Sequence, residues 1–204
     1  MKYAFGLTGG IATGKSTTLG MFRSQNPSLE FFDADLTVRE LLKNSEVLSE
    51  LAELFGKQIL NSGGGLDREV MRGIVFQEAQ ERKKLESFLH PKVRKECLEK
   101  HEQWLTNESS TLFVADVPLL FEVDLDFGQD LNLVVATSEA TQRSRLKARN
   151  HYDDEMISSI LAAQLPILEK VNRADVVFWN EGPLQGLESQ MNHFTDAYRL
   201  NDNG

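Results

Sequence analysis

The chain has 204 residues, 31 Asp plus Glu against 22 Lys plus Arg, and a formal net charge of -9, with 41% hydrophobic and 26% charged residues. That composition excludes a disordered, collagen-like or low-complexity polymer, and the length suits one domain with an insertion. The acidic balance excludes a chain that grips nucleic acid along its whole surface, so any polyanion it binds must meet a local positive site.

Cys97 is the single cysteine, so no internal disulfide or cysteine metal cluster is available, which fits a reducing compartment. The N-terminus has one charge and a short apolar stretch that runs into glycines, unlike a secretory leader, and no stretch reaches the ~18 apolar residues of a membrane span. A soluble cytoplasmic protein is expected.

The first apolar run, Tyr3 to Leu7, reads as a buried strand. It leads into Gly9-Gly10-Ile11-Ala12-Thr13-Gly14-Lys15-Ser16, which satisfies the P-loop (Walker A) pattern G-x-x-x-x-G-K-[ST], with a helix expected from about Lys15. The glycines allow the backbone to turn successive N–H groups inward around phosphate oxygens. Gly10, Ile11, Ala12, Thr13, Gly14, Lys15, Ser16 and Thr17 are the expected nucleotide-binding residues. Lys15 would reach the β- and γ-phosphates of ATP, and the Ser16 hydroxyl would ligate Mg²⁺.

Leu29 to Phe32 reads as the second strand and is followed by Asp33 and Asp35. Asp35 is read as the cap of a helix starting at Leu36. About 80 residues then separate the second and third strands, far more than one crossover needs. Helical spacing over Leu36 to Phe55, Arg68 to Phe88 and Val93 to Trp104 makes this an inserted helical subdomain, interrupted by a flexible turn at Asn61-Ser62-Gly63-Gly64-Gly65. From its residues alone, His90-Pro91 reads as a helix stop and restart.

Leu112 to Ala115 is the third strand and ends at Asp116; Leu131 to Ala136 is the fourth. Arg143, Arg145, Lys147 and Arg149 follow within seven residues, then a polar helix from about Asp153 to Asn172, a fifth strand over Val176 to Trp179, and a closing helix from Leu184 that frays at Asn-Asp-Asn-Gly. Strands alternating with helices around this motif predict an α/β fold with a mainly parallel five-stranded sheet, the P-loop nucleoside-triphosphate-hydrolase fold, carrying an inserted helical subdomain and a short lid. The expected division is a nucleotide-binding core of 1–35, 111–139 and 173–204, an insertion of 36–110, and a lid with its following helix at 140–172.

In such sheets ligands bind beyond the carboxyl ends of the strands. Asp33 and Asp116 stand at two of those ends, so one would accept a proton from an attacking hydroxyl while the other supports Mg²⁺. Residues 1–29 and 140–152 hold seven Lys/Arg and no Asp or Glu. That bias makes the second segment a mobile arginine lid over the transferring phosphoryl, led by Arg145 and Arg149, against the plainer reading of a solvated helix face. The GTPase motifs Asn-Lys-x-Asp and Asp-x-x-Gly are missing, as is the transporter signature Leu-Ser-Gly-Gly-Gln, which leaves a small-molecule kinase as the simplest class. A nucleotide-dependent switch without acceptor chemistry is the reading from another class.

With these residues assembled, the chain resembles the dephospho-coenzyme A kinase family. The resemblance rests on the P-loop, Asp33-Ala34-Asp35 with Arg39, Leu89-His90-Pro91-Lys92-Val93-Arg94, Asp116-Val117-Pro118-Leu119-Leu120-Phe121-Glu122, Gln142, Arg145 with Arg149, Gln164, Lys170, and Asn180-Glu181-Gly182. It implies ATP-dependent phosphorylation of the ribose 3′-hydroxyl of dephospho-coenzyme A. It makes Asp33 the base, the insertion a coenzyme A-binding subdomain, and Asn180 a neighbour of the adenine. It places Arg39, His90, Pro91, Arg94, Leu119, Leu120 and Glu122 at the acceptor, with Lys15, Asp33, Asp116 and Arg149 catalytic. The implied partners are ATP, Mg²⁺ and dephospho-coenzyme A, without nucleic acid or membrane, in a monomer or weak homo-oligomer. The competing reading is a P-loop kinase for another small acceptor, such as a nucleoside monophosphate. Ala12, where the family has glycine, and Asn150, where it has aspartate, depart from the pattern.

Overall fold

The computed structural model describes residues 1–200, so the Asn-Asp-Asn-Gly end lies outside the described residues. Five strands form one sheet: β1 (Tyr3–Gly9), β2 (Glu30–Asp33), β3 (Leu112–Asp116), β4 (Leu131–Ala136) and β5 (Val176–Trp179). Their spatial order is β2-β3-β1-β4-β5, which puts β1 at the centre. Parallel ladders place Phe5 opposite Val114 on β3 and opposite Leu131 on β4, and Val135 of β4 opposite Phe178 of β5. All five expected strands are present, because buried parallel strands are continuous apolar runs that sequence patterning detects.

The chain divides into two compact units, residues 1–32 with 100–204 and residues 33–99. In the first, α1 (Lys15–Gln25) and α9 (Leu184–Ala197) cover one sheet face. Phe5, Leu7, Phe22, Phe178, Met191 and Phe194 meet there, with Phe5 and Phe194 edge to face at 5.5 Å and Phe22 and Phe178 at 6.3 Å. Burial of each such side chain contributes roughly 1.5–3 kcal/mol against the entropy of ordering the chain. Side chains of alternate parity lie on the other face, where Phe113 packs on His101, Trp104 and Phe127. Gly6 faces Leu120 so closely that a Cβ would lie 2.9 Å from a Leu120 methyl, which fixes the close approach of the segment after β3 to β1.

The second unit has its own core of Val47, Leu51, Phe55, Ile59 and Met71. The expected helix over 36–55 is two helices, α2 (Ala34–Leu41) and α3 (Ser45–Phe55), because the Asn44 side chain accepts from the Glu46 and Val47 N–H groups and starts a new helix. The expected helix over 68–88 also divides, into α4 (Arg68–Gln77) and the start of α5 (Ala79–Thr106), at extended Glu78. The 61–65 turn is ordered by Asn61 Oδ1, which accepts from the Gly63 and Gly65 amides.

Two sequence readings are corrected. Asp33, not Asp35, caps α2: its Oδ1 accepts from Leu36 N at 2.8 Å, while Asp35 is exposed inside the first turn. Nor does the helix stop at His90-Pro91, since α5 runs continuously through Pro91. The ring has no N–H for the Ser87 carbonyl, and the helix absorbs that lost bond within its 28 residues.

The polar stretch after β4 forms α6 (Glu139–Asn150), α7 (Asp154–Ala162) and α8 (Ile167–Asn172). The expected helix over 153–172 is thus α7 and α8, parted by the segment that ends in Pro166. Among the described residues no helix is long and apolar enough to cross a membrane.

Candidate active site

The loop from Gly9 to Lys15 joins the central strand to α1. Gly14 stands before α1 with φ near 101°, where any Cβ would collide with the Asn180 amide, so only glycine fits. The first turn of α1 has no side-chain cap and no acidic residue, which leaves its N-terminal N–H groups and positive dipole end available to an anion. Ala12 holds φ near 59°, in the left-handed region that glycine occupies without cost.

What shapes the loop is a set of side chains that grip its carbonyl oxygens from outside. The Thr13 hydroxyl donates to Gly10 O at 2.8 Å. Gln142 Nε2 donates to Ile11 O at 2.7 Å, Arg145 Nη1 to Ala12 O at 3.0 Å and to Thr13 O at 3.3 Å, and Asn180 Nδ2 to Thr13 O at 2.7 Å. With four successive carbonyls turned outward, the peptide groups present their N–H ends to the concave side, the arrangement a phosphate needs. Two N–H groups are already engaged: Ile11 N donates to Gln164 Oε1 at 3.1 Å and Thr13 N to Gly10 O at 3.4 Å. A cavity of about 540 Å³ borders this clamp, its walls including Gly10, Gln142, Gln164 and Trp179.

Lys15, in the first turn of α1, forms an ion pair with Asp116 at the end of β3. Both side chains are mostly buried, so the pair is little screened by solvent. Ser16 and Thr17 follow, exposed. The Ser16 hydroxyl and the Asp116 carboxylate are both hard-oxygen donors, the chemistry that fits Mg²⁺, a cation that takes one or two protein ligands in phosphate sites. Among the described residues no cluster of three or more His, Cys, Asp or Glu forms a metal cage of its own.

Behind the ion pair, the segment after β3 is held by Lys170 of α8. Its side chain is fully buried and donates to Pro118 O at 2.8 Å and to Glu122 Oε1 at 2.8 Å; Thr8 Oγ1 donates to the same Pro118 oxygen at 3.0 Å. Burial pushes the Lys170 ammonium below its ordinary value, opposed by Glu122 and reinforced by the Lys15 charge.

Not every expected site residue is placed as its type suggested. Glu122 pairs with Lys170 and accepts from Leu165 N at 2.9 Å, so its carboxylate orders the chain. Leu120 is 1% exposed and packs over Gly6, so it serves the core and offers no side-chain surface to an acceptor; Leu119 is half-buried. Arg145 is bound to backbone carbonyls of the P-loop and, at 3.0 Å, of Asn180, so it holds the loop and does not stand free as a closing lid group. Arg143 pairs with Glu139 at 2.8 Å and Lys147 with Asp154 at 2.7 Å, the solvated-face arrangement. Arg149, exposed in the last turn of α6, makes no hydrogen bond or ion pair among the described residues. Asp33 ends β2. In the helical unit Arg39, Pro91 and Arg94 are exposed and His90 is half-buried. Gln142, Gln164, Lys170 and Glu181 were present in the family pattern without a role, and no periodicity marks them.

The sequence pattern of the dephospho-CoA kinase family (CoaE) matches residues 3–186. A dephospho-CoA kinase of Bacillus thuringiensis subsp. konkukian is 36% identical over 203 residues, covering 99% of this chain and all of the relative. Among solved structures, TT1252 from Thermus thermophilus superposes with a TM-score of 0.77 at 31% identity, covering 96% of this chain and 97% of the other. The dephospho-CoA kinase from Campylobacter jejuni gives 0.64 at 28% identity with the same coverage.

Proposed function

The chain belongs to the dephospho-CoA kinase family, and on that basis we propose how its residues divide the reaction. The enzyme transfers the γ-phosphoryl of ATP to the ribose 3′-hydroxyl of dephospho-coenzyme A, giving coenzyme A and ADP. The hydroxyl oxygen forms a bond to the γ-phosphorus as the bond to the β–γ bridging oxygen breaks, and the hydroxyl proton passes to a carboxylate.

Asp33 is that base, a reading supported by its place at the carboxyl end of a strand. The loop N–H groups of residues 12–16 and the Lys15 ammonium bind the phosphates, Lys15 exchanging its Asp116 partner for phosphate oxygens. Ser16 and Asp116 would hold Mg²⁺, directly or through water, and the bound ion would offset charge on the phosphates. Arg149, unengaged on α6, supplies further positive charge to the transferring group. Asn180 lies by the nucleotide base.

Residues 36–110 are proposed as the coenzyme A-binding insertion, with Arg39, His90, Pro91 and Arg94 as acceptor contacts, and residues 140–172 as the lid and its following helix. The same reading gives ATP and dephospho-coenzyme A as partners, no nucleic acid or membrane, a monomeric or weakly self-associating state, and a cytoplasmic location.

The observation that carries the proposal is the outward grip on four P-loop carbonyls beside a lysine–carboxylate pair. ADP release in a coupled assay tests it: dephospho-coenzyme A should drive turnover well above that with water or a nucleoside monophosphate. Equal rates with all three would overturn it.

A further inference from the structure

Glu181 follows Asn180 in the loop after β5, and its carboxylate is turned wholly onto the start of α6. One oxygen accepts from Thr137 Oγ1 at 2.5 Å and Ser138 N at 2.8 Å. The other accepts from Ser138 Oγ at 3.1 Å and from the Thr141 hydroxyl. These donors, the Ser138 amide first, hold the Glu181 carboxyl down to about 2, so it stays ionised throughout the neutral range.

The helix returns the connection. From α6, Arg145 Nη2 donates to Asn180 O at 3.0 Å, while Arg145 Nη1 and Gln142 Nε2 reach the carbonyls of Ala12 and Ile11. Residues 180–181 and α6 therefore form a closed circuit, and the P-loop is gripped from both arms of it, by α6 and by the Asn180 amide. The grip depends on where α6 sits, because its bonds of 2.7 and 3.0 Å leave the hydrogen-bond range on a shift of about 1 Å.

We propose that Glu181 is a positioning residue for the nucleotide site: by fixing the start of α6 it sets the Gln142 and Arg145 bonds that hold the P-loop carbonyls outward. This rests on the reading of the P-loop as the ATP site. Glu181 touches neither phosphate nor base in this account; it acts through α6.

Titration with a fluorescent ATP analogue, alongside steady-state kinetics and thermal melting, tests the assignment. Glu181→Ala should raise the analogue Kd by about five- to tenfold, a coupling of ordinary size between linked sites, and leave the KM for dephospho-coenzyme A unchanged. Glu181→Gln, which keeps an acceptor oxygen without the charge, should fall between wild type and alanine. The double change Thr137→Val with Thr141→Val removes two donors to the same carboxylate and should raise Kd while Glu181 is intact, which keeps the test open should the alanine variant fold poorly. Wild-type nucleotide affinity in folded Glu181→Ala, or in the valine pair, would reduce Glu181 to an ordinary helix cap and overturn the proposal, whatever the melting temperature does. Equal rises in both KM values would also overturn it. A wild-type protein that fails to bind the analogue would instead refute the ATP-site reading, and the inference with it.

Discussion

Lys170→Met probes the wall behind the phosphate loop by removing a charge from a site closed to water. The Lys170 side chain is 0% exposed and its ammonium is shared between Pro118 O and Glu122 Oε1, each at 2.8 Å. Methionine fills a similar volume but leaves the Glu122 carboxylate, 17% exposed, without its counter-charge. Oε2 of that carboxylate already makes no hydrogen bond among the described residues. Breaking a buried pair from one side costs about 3–5 kcal/mol. In a chain of this size each kcal/mol moves Tm by about 2–4 °C, so Tm should fall by about 6–20 °C.

Adding Glu122→Gln removes the second charge yet keeps an oxygen to accept from Leu165 N, and Pro118 O keeps the Thr8 hydroxyl. The double variant should recover most of the loss, because replacing both members of a buried pair is often neutral or stabilising. Scanning calorimetry on wild type, both single variants and the double gives the coupling energy. The sign of the pH dependence is fixed as well. Since the folded state depresses the Lys170 value below 10.5, the unfolded chain holds its proton to higher pH than the folded one. Wild type should therefore gain stability relative to the double variant as pH rises toward 10.5. A single variant that loses less than about 1 kcal/mol, or a double variant no more stable than Lys170→Met, would refute the view that an ion pair holds this segment.

Other outcomes follow from individual contacts. Asn and Asp cap helices about equally well, so Asp33→Asn should melt as the wild type does while kcat drops by about 10²-fold or more; a near-normal kcat would restrict Asp33 to capping α2. Arg149→Ala should lower kcat more than it raises the KM for dephospho-coenzyme A, and a change in acceptor KM alone would place Arg149 outside the phosphoryl chemistry. Ala12→Gly relieves a left-handed alanine at about 1–2 kcal/mol but adds about 0.4–1 kcal/mol of unfolded-chain entropy, so calorimetry should show a net gain of no more than about 1.6 kcal/mol. A clear loss of stability would show that the Ala12 methyl makes contacts that outweigh the strain.

Local pattern carried the sheet. Phe5, Val114 and Val134 belong to short apolar runs with polar ends, and burial on both faces of a parallel sheet requires such runs. Helix boundaries were less legible, since Asn44 and extended Glu78 divide what apolar spacing joins, while Pro91 fails to divide what its ring suggests. Capping side chains and the tolerance of a long helix for one missing bond do not alter hydrophobic period.

The sequence by itself determined that a phosphate loop follows the first strand, because glycine spacing, Lys15 and the helix start are local requirements of anion binding. It also put carboxylates at two strand ends. Only the tertiary structure decided that Glu122 and Lys170 lock together, and that Gln142, Arg145 and Asn180 hold the loop in shape. The three grips on the loop join residues more than 130 positions apart, and a side chain that meets a distant carbonyl leaves no period or spacing in the chain to show where it points.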